Sequence, residues 1–453
     1  MFFSRKTYYK LVGLHLALGV GIYVFQPLSR LFLLAAIAYF FYLVVFRGNR
    51  REEVLLGAAY VTGFEVLSRM TGGIGFSYEF AKYMVILFLL VGMFFRGFTR
   101  ASLPYIIYLF LLLPGILFSA INLNYETNIA NAIGFNLSGP FCLGIAALYC
   151  YKRKLSVKRY NQVLFTLLLP IISTTIYLYL YTPNIRDALS GTGSNFALSG
   201  GFGPNQVATV LGLGIFILFS RLFLVKDRLI NLLDLALLGL ISYRAIITFS
   251  RGGVYTALAC GALFLFFYLV RSPLKERAIL LPKLGVIAGV VVITWIVSSV
   301  ATMGLIDKRY SNQDAAGRVK QDVTTGRAEL LSNELQAFKE NPITGIGVGK
   351  VKEYRQVKTG KVAASHNEVS RIVSEHGLFG ILALMILLIT PLFYGLTDKS
   401  NLYLFPFIAF WFLTINHSSM RIAAPAFVYG LALISLYREK KATLHRKPTG
   451  RKG

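Results

Sequence analysis

Fourteen apolar runs, most of them long enough to cross roughly 30 Å of hydrocarbon, govern what this sequence can fold into. They fall near 11–27, 30–46, 53–70, 80–95, 103–120, 129–150, 160–182, 205–225, 229–248, 251–270, 282–303, 376–396, 402–416 and 421–437. The 402–416 run is short for a crossing. One soluble core cannot absorb them all, because 55% of 453 residues are hydrophobic and only 15% charged. The expected fold is an all-α polytopic membrane protein with about 12–14 transmembrane helices and a large helical loop.

Charge orders the runs. With the N-terminus inside, "RGNRR" at 47–51, "YKRKLSVKR" at 151–159, "RLFLVKDR" at 221–228, "RSPLKER" at 271–277 and the tail from 438 all share one face. The opposite short loops at 26–29, 70–78, 122–128 and 417–420 contain no Lys or Arg. That asymmetry is the positive-inside pattern, and it favours an even number of spans. It also accounts for most of the +27 net charge, with no basic face on a soluble module to suggest nucleic acid. The resulting division is 1–303 with about eleven spans, a long outside loop at 304–375, further spans at 376–437 and a basic tail at 438–453. The first span has no small-residue cleavage site, so it is expected to stay as a helix. Cys142, Cys150 and Cys260 lie in or at the ends of spans, with no CxxC pattern, so neither a disulfide framework nor a metal cluster is implied.

The informative residues gather outside. A 22-residue loop at 183–204 and the much longer 304–375 loop need a reason to exist. In the latter, Leu331, Leu335 and Phe338 form one apolar stripe ended by Asn341-Pro342, and Val369, Ile372, Val373 and His376 form another, with "PITGIGVG" as a turn between. Arg251 follows the turn in "TFSRGG", Arg327 opens a helix in "TTGRAE", and Arg244 sits near the outer end of its span. Two readings stand for the span-end arginines: anchors at lipid headgroups, or an anion site whose planar forks match phosphate oxygens. Gly252 and Gly253 favour the second, by allowing close approach.

His366 in "SHNEV" is either a buried structural residue or a general base near physiological pH. No spacing around it suits zinc. Glu375 either orients the histidine or caps the helix entering the membrane, and Asn205, after Pro204, either starts a helix or lines the outside cavity. Together with Asn367 these are the candidate supporting residues. Glu65 with Arg69, and Glu79 with Lys82, have the spacing of pairs within one helix.

"TFSRGG", then "TGRAELL" and "FKENPITGIGVG", then "SHNEVSRIVSEHGLFGILA", occur in an order and placement that resembles the O-antigen ligase and O-antigen polymerase superfamily of bacterial membrane glycosyltransferases. The resemblance covers about 200 to 396, less than half of the chain. It implies a multi-pass protein of the bacterial inner membrane, both termini cytoplasmic, with 304–375 as a periplasmic catalytic loop. It implies transfer of a glycan from an undecaprenyl-diphosphate carrier to a lipid or glycan acceptor hydroxyl, with membrane lipids as surroundings. By motif position, Arg251 and Arg327 resemble the family's arginines and His366 its histidine. Arg244 is added from depth and charge alone. No cofactor or metal is expected, because the arginines supply the positive charge and no outside Asp-x-Asp is present. Polymerisation is the alternative within the superfamily. A lipid-linked glycan flippase is the alternative outside it, though the chain shows no internal repeat and its charge cluster lies at one face.

Overall fold

The computed structural model of the chain describes residues 4–74, 78–124, 126–273, 280–320, 326–360 and 365–439. Most of the tail expected from 438, part of the 271–277 loop and two stretches of the long loop lie outside them.

Every apolar run falls on a helix. In chain order these are Arg5–Val24, Pro27–Arg47, Glu53–Met70, Phe80–Arg96, Leu103–Leu111 with Leu113–Asn122, Ile129–Cys150, Val157–Tyr181, Pro204–Leu224, Arg228–Ile247, Arg251–Arg271, Leu280–Ala301, Glu368–Thr397, Leu404–Ser418 and Ala424–Ala432. Among the described residues, nine helical stretches are long and apolar enough to span a membrane. The protein is an all-α polytopic membrane protein. Val157–Tyr181 and Pro204–Leu224 are largely buried and form the centre, while Leu280–Ala301 stands mostly exposed at the rim.

The last run differs from expectation. Its helix has only 9 residues, Ala424–Ala432, about 14 Å at 1.5 Å per residue and too short to cross. Ser435–Tyr437 then pairs in parallel with Lys154–Ser156, the single two-stranded sheet among the described residues. Ala424–Ala432 is buried throughout, and non-helical backbone next to it is tolerated where protein rather than lipid surrounds it.

The intrahelical pairs form as spaced. Arg69 meets Glu65 at 2.5 Å, and Lys82 meets Glu79. Each pair also ties down the 419–423 segment: Glu65 accepts the Ala423 amide at 2.7 Å, and Lys82 donates to the Met420 carbonyl at 3.1 Å.

The bundle has two chemically distinct ends. At one, Arg153 meets Glu52 at 3.1 Å, Arg5 meets Asp227 at 2.9 Å, and the 154–156 and 435–437 strands lie side by side. At the other, Asn124 approaches Glu353, Ser419 donates to the Ser365 carbonyl, and Thr192 donates to the Gln313 carbonyl. The basic loops near 47–51, 151–159 and 221–228 therefore share one end, and the described parts of both long loops share the other.

The long loop corrects one expectation and bears out another. In the helix Arg327–Glu340 the buried face is Glu334 and Ala337, whereas Leu331 and Leu335 are 38% and 44% exposed. An ion pair selects that face: Glu334 meets Arg355 of the helix Lys350–Thr359 at 2.8 Å and accepts the Ser370 hydroxyl. A buried carboxylate needs such partners more than leucine needs burial beside a bilayer. The Val369–His376 helix and the following span are, as expected, two helices, and they meet at a kink at Gly377 with φ 60° and ψ −135° within Glu368–Thr397. The carbonyls of Ser374 and Glu375 freed by the kink accept the amides of Ile346 and Gly347 from the glycine turn, at 3.0 and 3.1 Å. A Cβ at Gly377 would lie 2.5 Å from the Gly345 amide nitrogen, so the break and the turn fit only with glycine there.

The two-ended arrangement predicts labelling from opposite faces. All three native cysteines are buried and silent, so Ser332→Cys and Lys154→Cys, both at exposed positions, report cleanly. An impermeant maleimide should reach them from opposite sides of oriented membranes; labelling from one side would refute the arrangement.

Candidate functional site

The end that carries both long loops holds a cavity of about 460 Å³ lined by Gly193, Ser194, Asn205, Ser250, Arg251, Gly252, Arg309, Lys320, Arg327 and His417. Four of these are cationic. Among the described lining residues, none carries a carboxylate.

Local backbone geometry places each cation. Phe249, between Arg228–Ile247 and Arg251–Arg271, adopts φ 57°, a conformation costing a phenylalanine about 1–3 kcal/mol. The turn it makes sets Arg251 at the first position of its helix and directs the Phe249 carbonyl to Arg309 Nε at 3.0 Å. Arg251 Nη1 in turn donates to Asn312 Oδ1 at 2.5 Å and to the Arg309 carbonyl at 3.3 Å. Both guanidinium groups are thus oriented by neutral oxygens, which fix direction without cancelling charge. Arg327 stands at the first position of its helix, and Asn205 follows Pro204 at the start of another, where its Oδ1 accepts the Ser250 hydroxyl at 2.7 Å. Three helix N-termini therefore supply residues to one cavity, and their dipoles add to its positive field.

The cations feel one another. Burial, then Arg251 and Arg327, hold the Arg309 guanidinium below its ordinary value. Burial and Arg251 do the same to Arg327. Burial, Arg309 and Arg251 lower Lys320, outweighing Asp314. Like charges held together in this way await an anion.

Sequence reading missed Arg309, Lys320 and, as the one histidine of the cavity lining, His417. It ends Leu404–Ser418 and lies against Gly252, where a Cβ would come within 2.4 Å of its ring. Gly253 admits another neighbour, since a Cβ there would stand 2.1 Å from the Ala208 carbonyl oxygen of the central helix. The glycine pair therefore serves helix contact and histidine contact. His417 Nε2 is 3.5 Å from Thr209 Oγ1, and both Arg327 and His366 act on its ring electrostatically. The one signal in the sequence was a histidine in a short outside loop otherwise free of charge.

The other candidates divide. Arg251, Arg327 and Asn205 line the cavity, and half-buried His366 lies within electrostatic reach of it through His417. Arg244 does not join them: it is buried under the 183–203 segment, with Nη2 on the Leu198 carbonyl at 3.3 Å and its guanidinium over the Tyr179 ring. Asn367 caps Glu368–Thr397, accepting the amides of Val369 and Ser370. Glu375 directs its oxygens to Arg371 at 2.5 Å and to the Gly349 amide at 2.8 Å, which pins the glycine turn to the kink. Among the described residues, no three His, Cys, Asp or Glu side chains converge as metal ligands do.

Residues 235–386 match the O-antigen ligase family. The matched segment, about a third of the chain, holds Arg251, Arg309, Lys320, Arg327 and His366, whereas Asn205 and His417 come from helices outside it. No curated protein and no solved structure matches the chain.

A cavity built this way should bind inorganic pyrophosphate and be stabilised by it, by about 2.7 kcal/mol at a hundredfold excess over Kd. Lys320→Gln should leave the ligand-free protein at least as stable, because a repelled charge is gone. Its pyrophosphate affinity should fall roughly tenfold, the worth of one charged hydrogen bond. Thermal melts with and without pyrophosphate test both; an unchanged shift in the variant would remove Lys320 from the site.

Proposed function

We propose that this chain transfers a glycan from an undecaprenyl-diphosphate carrier to an acceptor hydroxyl, at the periplasmic face of the bacterial inner membrane, with both termini cytoplasmic. The observation carrying this reading is the cavity in which four cations meet three helix N-termini without a lining carboxylate. A lipid diphosphate is an anion that a cavity of a membrane protein can meet, and the match of residues 235–386 to the O-antigen ligase family supports the choice.

In the proposed reaction the acceptor oxygen attacks the sugar's anomeric carbon and its proton passes to neutral His366. The bond from that carbon to the phosphate oxygen breaks, and its electron pair leaves with the diphosphate. Arg251, Arg309, Lys320 and Arg327 meet the charge that develops on the departing oxygens, the place where preorganised charge lowers a barrier most. His417 lines the same cavity and feels both Arg327 and His366. With that charge already in place, the step as proposed has no role for a divalent metal. Ligase and polymerase share this chemistry and differ in the acceptor; the ligase reading follows the description of the matched family.

His366→Ala should lower transfer by roughly 10²–10⁴-fold, the worth of a general base, while pyrophosphate binding persists. Arg251→Lys, which keeps charge and loses the fork, should lose most turnover and still insert normally. EDTA should leave the wild type active. Reconstituted transfer from a lipid-diphosphate glycan measures all three, and a His366→Ala enzyme at wild-type rate would overturn the assigned role.

A further inference from the structure

Away from the cationic cavity, a cleft runs along the contact between the helices Arg228–Ile247 and Leu280–Ala301. It has two parts, which share Leu232 and Leu235. The part toward the end with the long loops holds about 580 Å³ and is almost wholly apolar, with Val290, Ile293 and Val297 across from Leu240 and Tyr243. The other part, of about 330 Å³, lies at the end with the basic loops, and there Arg228, Asn231 and Lys283 join the apolar lining. From Arg228 to Tyr243 the cleft follows about 22 Å of helix at 1.5 Å per residue, so it runs from one interface well into roughly 30 Å of hydrocarbon. Its polar end is incompletely satisfied. Asn231 Nδ2 donates to the Val225 carbonyl at 3.0 Å, but Asn231 Oδ1 is buried without a hydrogen-bond partner. Half-buried Lys283 gives one proton to the Leu222 carbonyl at 2.9 Å and has two more to give. The neighbouring carboxylates are engaged elsewhere: Asp227 with Arg5 and the amides of Leu229 and Ile230, and Asp234 with Arg221 and Tyr8.

We propose that this cleft binds one anionic glycerophospholipid with a free headgroup hydroxyl, the chemistry of phosphatidylglycerol, drawn from the leaflet at the basic end. Its phosphate sits between Arg228 and Lys283, since a basic pocket between membrane helices selects anionic headgroups. The headgroup hydroxyl donates to Asn231 Oδ1, and one acyl chain follows Leu232, Leu235 and Ile293 along the cleft. A choline headgroup brings a positive charge beside two others and has no proton for Asn231. An ethanolamine headgroup has the proton and keeps the repelled charge. A diphosphate carrier, by contrast, places its anion at the opposite end of the bundle, with Arg251 and Arg327. The lipid also has a structural consequence. Leu280–Ala301 stands mostly exposed at the rim, yet its far end holds the helix of Arg309, Leu305–Tyr310, through the Ser299 hydroxyl on Asp307 and Trp295 against Tyr310 at 4.9 Å. A lipid that fills the cleft steadies the helix from which one cation of the first cavity hangs.

The test uses the full chain in detergent micelles, titrated with phosphatidylglycerol, phosphatidylethanolamine and phosphatidylcholine of the same acyl chains. Native mass spectrometry counts the lipids retained, and thermal melts on the same samples report stabilisation. One phosphatidylglycerol should be retained, roughly tenfold more tightly than phosphatidylcholine, about the worth of one charged hydrogen bond. Arg228→Gln, at an exposed position, should lower phosphatidylglycerol affinity roughly tenfold and leave phosphatidylcholine unchanged. Val286→Trp, also exposed, should fill the cleft and abolish the retained lipid while the protein still folds. Equal retention of the three lipids, or phosphatidylglycerol held as tightly by Arg228→Gln as by the wild type, would overturn the site. Displacement of phosphatidylglycerol by an equal concentration of undecaprenyl phosphate would also overturn it, and would assign the cleft to a polyprenyl chain instead.

Discussion

The structure turns on a set of positive charges held close together without carboxylates. Arg251 and Arg309 are oriented by an asparagine oxygen and by main-chain carbonyls, Arg309's own among them. Neutral acceptors of this kind give direction while leaving the charge available, whereas a carboxylate would give direction and remove it. The arrangement costs stability through mutual repulsion and through the positive φ at Phe249, and such costs persist where surrounding structure over-determines them. Here the surroundings are the ends of the helices Pro204–Leu224, Arg251–Arg271 and Leu404–Ser418, whose relative positions are set in the membrane.

Elsewhere the chain treats buried charge in the opposite way. Arg69 has Glu65, Arg221 has Asp234 at 3.0 Å, Arg355 has Glu334, and Arg371 has both Glu368 and Glu375. Each pair joins segments or fixes a helix face, and none needs a ligand to complete it. Arg244 falls between the two patterns, since a carbonyl and an aromatic ring receive its guanidinium under a covering loop. The contrast gives the cationic cavity its meaning: a chain that supplies carboxylates to its structural arginines withholds them from the lining of one cavity.

Much of the fold was legible because lipid imposes a one-dimensional rule. A run of apolar residues must become a helix there, and the bias of Lys and Arg sorts the loops, so helix positions and the sharing of ends could be read without tertiary knowledge. The rule fails where the surroundings are protein. The last helix stops at Ala432 and Ser435–Tyr437 pair with 154–156, a distant segment that no local pattern announces, and Leu331 and Leu335 face outward because Glu334 has Arg355 as its partner. Periodicity records which residues are apolar, but it cannot record which polar residue has a partner across the fold. The same limit applied to the site. Arg251 and Arg327 stood out through local motifs, whereas Arg309 and Lys320 carry no local signal, His417 only that of a histidine in an uncharged loop, and all three become cavity residues only through contacts between distant segments. Arg244 looked equivalent to Arg251 along the sequence because both stand near the outer ends of their spans. The turn at Phe249 separates them.

The kink at Gly377 connects the soluble half of the site to the membrane half. Three elements of the long loop, namely the helix with Arg327, the glycine turn and the start of the helix with Arg355, are bound to the first two turns of Glu368–Thr397 through Ser370, Ser374 and Glu375. That short stretch ends where the backbone breaks, so it can lie at an angle to the membrane-spanning remainder. An unbroken helix would have intrahelical partners for the Ser374 and Glu375 carbonyls, and the glycine turn would lose its anchor. The anchorage of the glycine turn therefore depends on one glycine far from the cations and the histidine in chemistry, while Glu334, through Ser370 and Arg355, holds the helix that carries Arg327.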